Sequence, residues 1–251
     1  MATEKVRSIR NAKPRYETST GEWVPGVTTI LQLRAKPALV GWAFKVARDN
    51  PNLSALSNYV DDLAEIGSVA HLLITAHLQG TQADLSDHAP SVVEAARVPY
   101  NKFLEWQRGK KMDVIGADVA FVSDEYRFGG TLDLLANIDG LVTVVDFKTG
   151  RAIYNEYFYQ VAAYAKLVEE KLKMRPAALR ILQIGRTGNE GFGERVVEDY
   201  ENYWLAFKAL RDLYQVEREI EANDKPKKQA QIVDIDALRA KGVITQAPAT
   251  T

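Results

Sequence analysis

Cysteine is absent from the chain. That excludes disulfides and thiolate metal ligands and fits a reducing compartment. Long hydrophobic runs are absent too. No stretch approaches the roughly 20 apolar residues that span a bilayer, and the amino terminus, Met1-Ala-Thr-Glu-Lys-Val-Arg7, lacks the apolar core of a secretory signal. The expectation is a cytoplasmic protein with no membrane partner. A surplus of one charge is also missing. The net charge of −1 argues against a general polyanion binder, but it leaves room for local basic patches that contact nucleic acid. Three such patches stand out: Arg108 with Lys110 and Lys111; Lys36 with Lys45 and Arg48; and Lys166 with Lys171, Lys173 and Arg175. For each of them a solvated face is the plainer alternative.

What is present is enough apolar sequence for a large core. A chain of 251 residues buries roughly 70–75% of its unfolded surface and needs no covalent staples. Residues 1–22 are polar and read as ragged or edge structure. Pro25-Gly26 reads as a turn, Val27 to Leu31 as a short segment, and a helix opens near Pro37, a residue suited to a first helical turn. Helical periodicity predicts further helices over Tyr59–Leu78, with His71 at the edge of the apolar stripe, and over Val92–Arg108, with a polar loop at 81–90 between them. Strands are expected at Val114-Ile115, Ala117–Val122, Tyr126–Asn137 and Leu141–Phe147. A helix then follows over Asn155–Leu172, short strands over Leu179–Ile184 and Arg195–Val197, and a long amphipathic helix over Glu198–Asn223. In that last helix Tyr203, Trp204, Phe207, Leu210, Leu213 and Tyr214 read as core. His77 and His88 belong to no motif and read as surface. The helix between Lys148 and Leu179 suits a crossover that returns a parallel strand. The fold class is therefore α/β (α+β). One domain is expected over 1–222, helical over about 23–110 and with its core over about 113–222. A polar tail expected to lack fixed structure follows over 223–251.

The most informative stretch runs from Gly130 to Lys148. Asp139-Gly140 between two apolar runs is a strong two-residue hairpin signal. Ile138 then pairs with Leu141, and the same register places Asp133 opposite Asp146. Cross-strand partners share a face with Cβ atoms roughly 5 Å apart, where like charges repel. A divalent cation between the two carboxylates relieves that repulsion. Lys148 falls on the same face as Asp146 because strand side chains alternate.

These residues carry a family resemblance. Gly130-Thr-Leu-Asp133, Asp146-Phe-Lys148 and Gln160-Val-Ala-Ala-Tyr164 resemble the Gly-x-x-Asp, Asp/Glu-x-Lys and Gln-x-x-x-Tyr elements of the PD-(D/E)xK nuclease superfamily, and within it the RecB-like exonucleases. Upstream, Gly67-Ser-Val-Ala-His71 is similar to that group's Gly-x-x-x-His helix. Val24 to Leu31 with Lys36, Leu39 and Trp42 is similar to phage-type and mitochondrial-genome-maintenance exonucleases. The sequence departs from the pattern at Gly26, where a serine is expected, and at Asp118, where relatives tend to place a glutamate.

The resemblance implies a restriction-endonuclease-like core, a central mixed sheet flanked by helices, with the helical portion preceding it. It implies a metal-dependent DNA exonuclease acting from a free end, in phage or cellular replication, recombination or repair, with DNA as substrate and room for a partner protein from those processes. Asp133, Asp146 and Lys148 are the implied catalytic residues. His71, Asp133, Asp146 and the Phe147 carbonyl are the implied metal ligands, with Asp118, Gln160 and Tyr164 in support. Lys36, Lys45, Arg108, Lys110, Lys111, Thr149 and Arg151 are the candidate DNA contacts. Hard carboxylate oxygens suit Mg²⁺ or Mn²⁺, and an imidazole ligand favours Mn²⁺. An endonuclease on the same fold, a DNA-binding subunit with a degenerate site, and an enzyme acting on small phosphoesters are the competing readings.

Overall fold

A computed structural model describes residues 5–7, 14–34, 48 and 53–224. The helix expected from Pro37, with Lys36 and Lys45, and the tail from residue 225 lie outside the described residues. The chain divides into two compact units, Met1–Asp212 and Leu213–Thr251. All the described strands and candidate site residues lie in the first.

The local signals between residues 112 and 184 place the elements closely. Strands β5 (Met112–Ser123), β6 (Phe128–Ile138) and β7 (Leu141–Lys148) form an antiparallel meander. Asp139 and Gly140 both adopt positive φ, 52° and 94°, as a two-residue turn of this kind requires. After β7 the helix Asn155–Leu172 crosses over and returns β8 (Ala178–Ile184) parallel to β7. An antiparallel β9 (Phe192–Val197) then closes a sheet of order β5-β6-β7-β8-β9. The mixed sheet and flanking helices expected from the sequence are both present.

Three further helices are α1 (Val27–Leu31), α2 (Leu53–Leu78) and α3 (Pro90–Gln107). The crossover helix is α4, and α5 covers Glu201–Asp224. Ile74 of α2 and Phe103 and Trp106 of α3 pack on Leu134, Ala136, Val145, Phe147, Leu182 and Ile184. The alternate strand positions Leu135, Val144, Leu179 and Ile181 are buried as well, and α4 contacts the same strands. The sheet is therefore covered on both faces, which explains the near-continuous apolar runs of β7 and β8.

Several expectations are corrected. Residues 81–90 are not all loop, because Gln82–Asp84 forms β4, paired in parallel with Lys5–Arg7 (β1), while Tyr16–Glu17 (β2) and Trp23–Val24 (β3) pair antiparallel. Residues 112–123 form one strand rather than two, and a bulge between Val114 and Gly116 absorbs the break in pattern. The short segment after Gly26 is helical. His88 is buried, with Nδ1 2.9 Å from Glu65 Oε1. An isolated histidine in sequence gave no sign of a partner 23 residues away. His77 is exposed as expected and bonds Gln107. On α5, Trp204 and Phe207 are buried, but Leu213 is exposed.

Candidate active site

The hairpin register expected from the turn is observed from Ile138↔Leu141 to Leu134↔Val145. Asp133 and Asp146 are the next pair in that register, and the ladder stops before them. Asp133 is also omitted from the ladder on its other side, where β5 pairs Ala117↔Leu134 and Val119↔Leu132 and leaves Asp118 in the matching position. Asp118 adopts φ 56°, a left-handed conformation that Asp tolerates better than most residues. Three carboxylates thus occupy adjoining positions across β5, β6 and β7, where regular pairing gives way. Farther along β6, Gly129 N donates to Pro25 O at 3.0 Å, and Gly26 bridges Gly129. The segment just before α1 occupies part of the edge that β7 does not pair.

Asp133 Oδ2 accepts the Phe147 backbone N–H at 2.8 Å. Its Oδ1 lies 3.4 Å from His71 Nδ1. Asp146 Oδ2 stands 2.6 Å from Lys148 Nζ, yet it is buried and accepts no well-directed hydrogen bond. Lys148 Nζ donates to Gln160 Oε1 at 3.0 Å, and Gln160 Nε2 donates to the Tyr164 hydroxyl at 2.8 Å. Gln160 and Tyr164 lie one turn apart on α4, so a single helix face holds the lysine. The Lys148 ammonium also sits 4.9 Å from the Tyr157 ring centroid.

Two glycines make these approaches possible. A Cβ on Gly130 would stand 2.5 Å from Tyr164 Cε1, and one on Gly67 would stand 2.9 Å from Thr149 Oγ1. The Gly-x-x-Asp and Gln-x-x-x-Tyr elements are therefore two sides of one contact. Gly67 lets α2 lie against the residue after Lys148, and one turn later His71 reaches Asp133.

The electrostatics are those of a site held together by opposing charges. Burial, reinforced by the Asp133 charge, pushes Asp146 up to about 6 despite Lys148 and His71. Burial also works against Asp133, but His71, Lys148 and the Phe147 N–H outweigh it and hold Asp133 below the usual carboxylate range. His71 is raised because Asp133 and Asp146 more than offset its desolvation. Asp118 is raised by partial desolvation and by facing Asp133. Tyr164 is raised well above an ordinary phenol, first by burial and then by Asp146.

Among the described residues no three His, Asp or Glu side chains already surround one point at ligand spacing. Asp133 is engaged with His71 and Phe147, and Asp146 with Lys148. The donor set nevertheless suits a hard divalent cation. It contains two adjacent carboxylates and an imidazole, and the buried Asp146 Oδ2 has only the Lys148 ammonium as its partner.

The structure does not bring every expected residue here. Arg108 and Lys111 are exposed near the hairpin tip, where Lys111 N donates to Asp139 Oδ1. Met112 pairs with Ile138, so this cluster is roughly 17 Å along the strand from Asp133, at about 3.4 Å per residue. Lys110 lies over Trp106. Arg151 is exposed and bonds Glu190. Sequence reading missed Tyr157, although it precedes Gln160 by three residues and so shares its helix face. It also missed Tyr16, whose hydroxyl meets Thr131 Oγ1 at 3.1 Å. Nothing local marks Tyr16, because Thr131 is 115 residues away.

The chain matches the PD-(D/E)XK nuclease superfamily over residues 50–231. No curated protein sequence matches it. Among solved structures it is similar to a Eubacterium rectale protein named as a candidate exonuclease, at 11% identity and TM-score 0.43, covering 75% of this chain and 77% of that one. It is also similar to LHK-Exo, solved in complex with dAMP, at 12% identity and TM-score 0.31, covering 72% and 91%. Both likenesses are too distant to carry an argument about function. The family match spans most of the chain and includes Gly67, His71, Asp133, Asp146, Lys148, Gln160 and Tyr164. The chain belongs to the PD-(D/E)XK nuclease superfamily.

Proposed function

We propose that this nuclease is a DNA exonuclease dependent on Mg²⁺ or Mn²⁺ that hydrolyses phosphodiester bonds from a free end. The observation that carries the reading is the convergence of Asp133, Asp146, His71 and Lys148 where β6 and β7 part. Asp133, Asp146, His71 and the Phe147 carbonyl would hold the cation. A bound divalent ion supplies charge neutralisation at the phosphate and a more acidic water. His71 favours Mn²⁺ over Mg²⁺, because nitrogen ligation suits transition metals.

The remaining work falls to the chain's own groups. Gln160 fixes the Lys148 ammonium, and Tyr164 fixes Gln160. Lys148 is then a preoriented donor for phosphoryl oxygens as negative charge develops on them. Tyr157 covers that ammonium and limits its access to water. Asp118 completes the acidic row beside Asp133.

The test is degradation of end-labelled single- and double-stranded DNA in Mg²⁺ and in Mn²⁺, with linear and covalently closed circular substrates of equal length. We expect degradation of linear DNA only. Lys148→Ala should lower the rate on the order of 10²- to 10³-fold, the scale of losing one transition-state stabiliser. Equal rates on circles would replace the exonuclease reading with an endonuclease. No degradation of any substrate would overturn the nuclease assignment for this chain.

A further inference from the structure

Beyond the reacting centre, the rim between β7 and α4 faces the β8–β9 loop, and this loop is unusually well tied down. Lys102 of α3 donates to the carbonyls of Gly185, Thr187 and Gly191, each at 2.8 Å. Gln183 Nε2 bonds Gly150 O at 2.7 Å and Glu190 O at 2.9 Å, joining the two loops directly. Glu190 in turn engages both Arg151 and Arg186. The cleft alongside is about 430 Å³ and is lined by Arg151, Thr187, Asn189 and Glu190.

The rim also carries a pair of tyrosines. Tyr157 covers Lys148 and lies within electrostatic range of Arg186. Tyr154 sits edge-on to Tyr157, with centroids 5.6 Å apart and planes at 81°. Tyr154 is 43% exposed and, among the described exposed aromatics Trp23, Tyr154 and Phe192, it is the one in contact with the ring that covers Lys148. The Tyr154 ring is joined to Lys148 through Tyr157, which touches both, and Arg151 and Arg186 meet at Glu190 on the same rim.

From this placement we infer that the rim is a binding track for single-stranded DNA. Tyr154 stacks an unpaired base, and Arg151 and Arg186, preoriented by Glu190, take the neighbouring phosphates. An exposed ring can receive a base only if that base is free of its own stack, so the feature selects an unpaired strand over a duplex. Three tethered carbonyls and a shared carboxylate keep the arginines in place before the strand arrives, which lowers the ordering cost of binding.

The inference rests on the nuclease reading, and the experiment separates the two. Binding of a fluorescent single-stranded oligothymidylate is measured by anisotropy in EDTA for the wild type, Tyr154→Ala, Tyr154→Phe and Arg186→Ala. An abasic strand of the same length is measured in parallel. Tyr154→Ala should weaken oligothymidylate binding about tenfold, within the range of one base–aromatic stack, and Tyr154→Phe should retain it. On the abasic strand Tyr154→Ala should match the wild type, whereas Arg186→Ala should weaken both strands. Melting curves identify any variant that fails to fold. Wild-type affinity of folded Tyr154→Ala for oligothymidylate, or an equal loss on the abasic strand, would overturn the track. Degradation by the wild type in Mn²⁺ is scored separately. Tight binding without degradation would count against the nuclease reading and leave the track standing.

Discussion

Asp146 carries a charge that its surroundings satisfy incompletely. It is 2% exposed, faces Asp133, and has Lys148 as its counter-ion. Its carboxyl is pushed up to about 6, above the roughly 3.9 of an unfolded aspartate. A raised carboxyl favours the protonated folded state. Ionisation therefore costs stability, a cost absent below the unfolded value and complete above the folded one. In metal-free protein Asp146→Asn should be more stabilising at pH 7 than at pH 4.5. The difference should be on the order of 2 kcal/mol, because one pKa unit is about 1.4 kcal/mol and part of the cost is already present at pH 4.5. Thermal melts of both proteins in EDTA at the two pH values measure it. A gap that does not widen with pH would show that Asp146 is not the strained member of the pair. The same variant should lose nuclease activity, because the amide keeps the shape and removes the ligand charge.

At the scale of elements, the site depends on how closely a helix can lie against a strand. Tyr164 is packed against Gly130 and only 4% exposed, so its ring cannot swing aside to admit a methyl group. Gly130→Ala should destabilise the fold by about 1–3 kcal/mol, the usual cost of overpacking. It should also displace the Tyr164 hydroxyl from Gln160 and so loosen the support of Lys148. Activity at a temperature where the variant remains folded should therefore fall more than stability explains. A melting temperature and rate both equal to wild type would mean that the Gly130–Tyr164 contact does not hold the lysine. The hairpin β6–β7 was legible because it is local. A two-residue turn fixes the register, and the register aligns Asp133 with Asp146 without reference to the rest of the chain. The β4 edge strand was not legible, because its partner β1 is at the other end of the N-terminal region and three residues are too few to show a period.

For the whole molecule, a net charge of −1 provides no general attraction to DNA, so affinity must come from a few positioned cations. If Lys148, Arg151 and Arg186 are the phosphate contacts, log K for single-stranded DNA should fall with log salt at a slope near −2, about −0.7 per neutralised phosphate. A salt titration of the anisotropy assay reads the slope directly. A slope near zero would rule out binding through phosphates. One several times steeper would bring in the basic residues around Lys36 and Lys45. The N-terminal residues matter at this scale too. Tyr16 and Pro25 precede the span matched to the family, yet they contact β6 beside the acidic row through Thr131 and Gly129.

The sequence by itself determined what is set by near neighbours. It specified the Asp139-Gly140 turn, the facing of Asp133 and Asp146, the placement of Lys148 beside Asp146, and the shared helix face of Gln160 and Tyr164. Each follows from a strand or helix period acting over a few residues. Only the tertiary structure decided which distant groups meet them. It brought His71 to Asp133, seated Tyr164 on Gly130, and laid Tyr157 over Lys148. It tied Arg186 and Arg151 to one glutamate, and it left Arg108 and Lys111 at the far end of the hairpin. Such meetings depend on how helices pack across a sheet, and side-chain volume and close backbone approach settle that packing after the local periods have been satisfied.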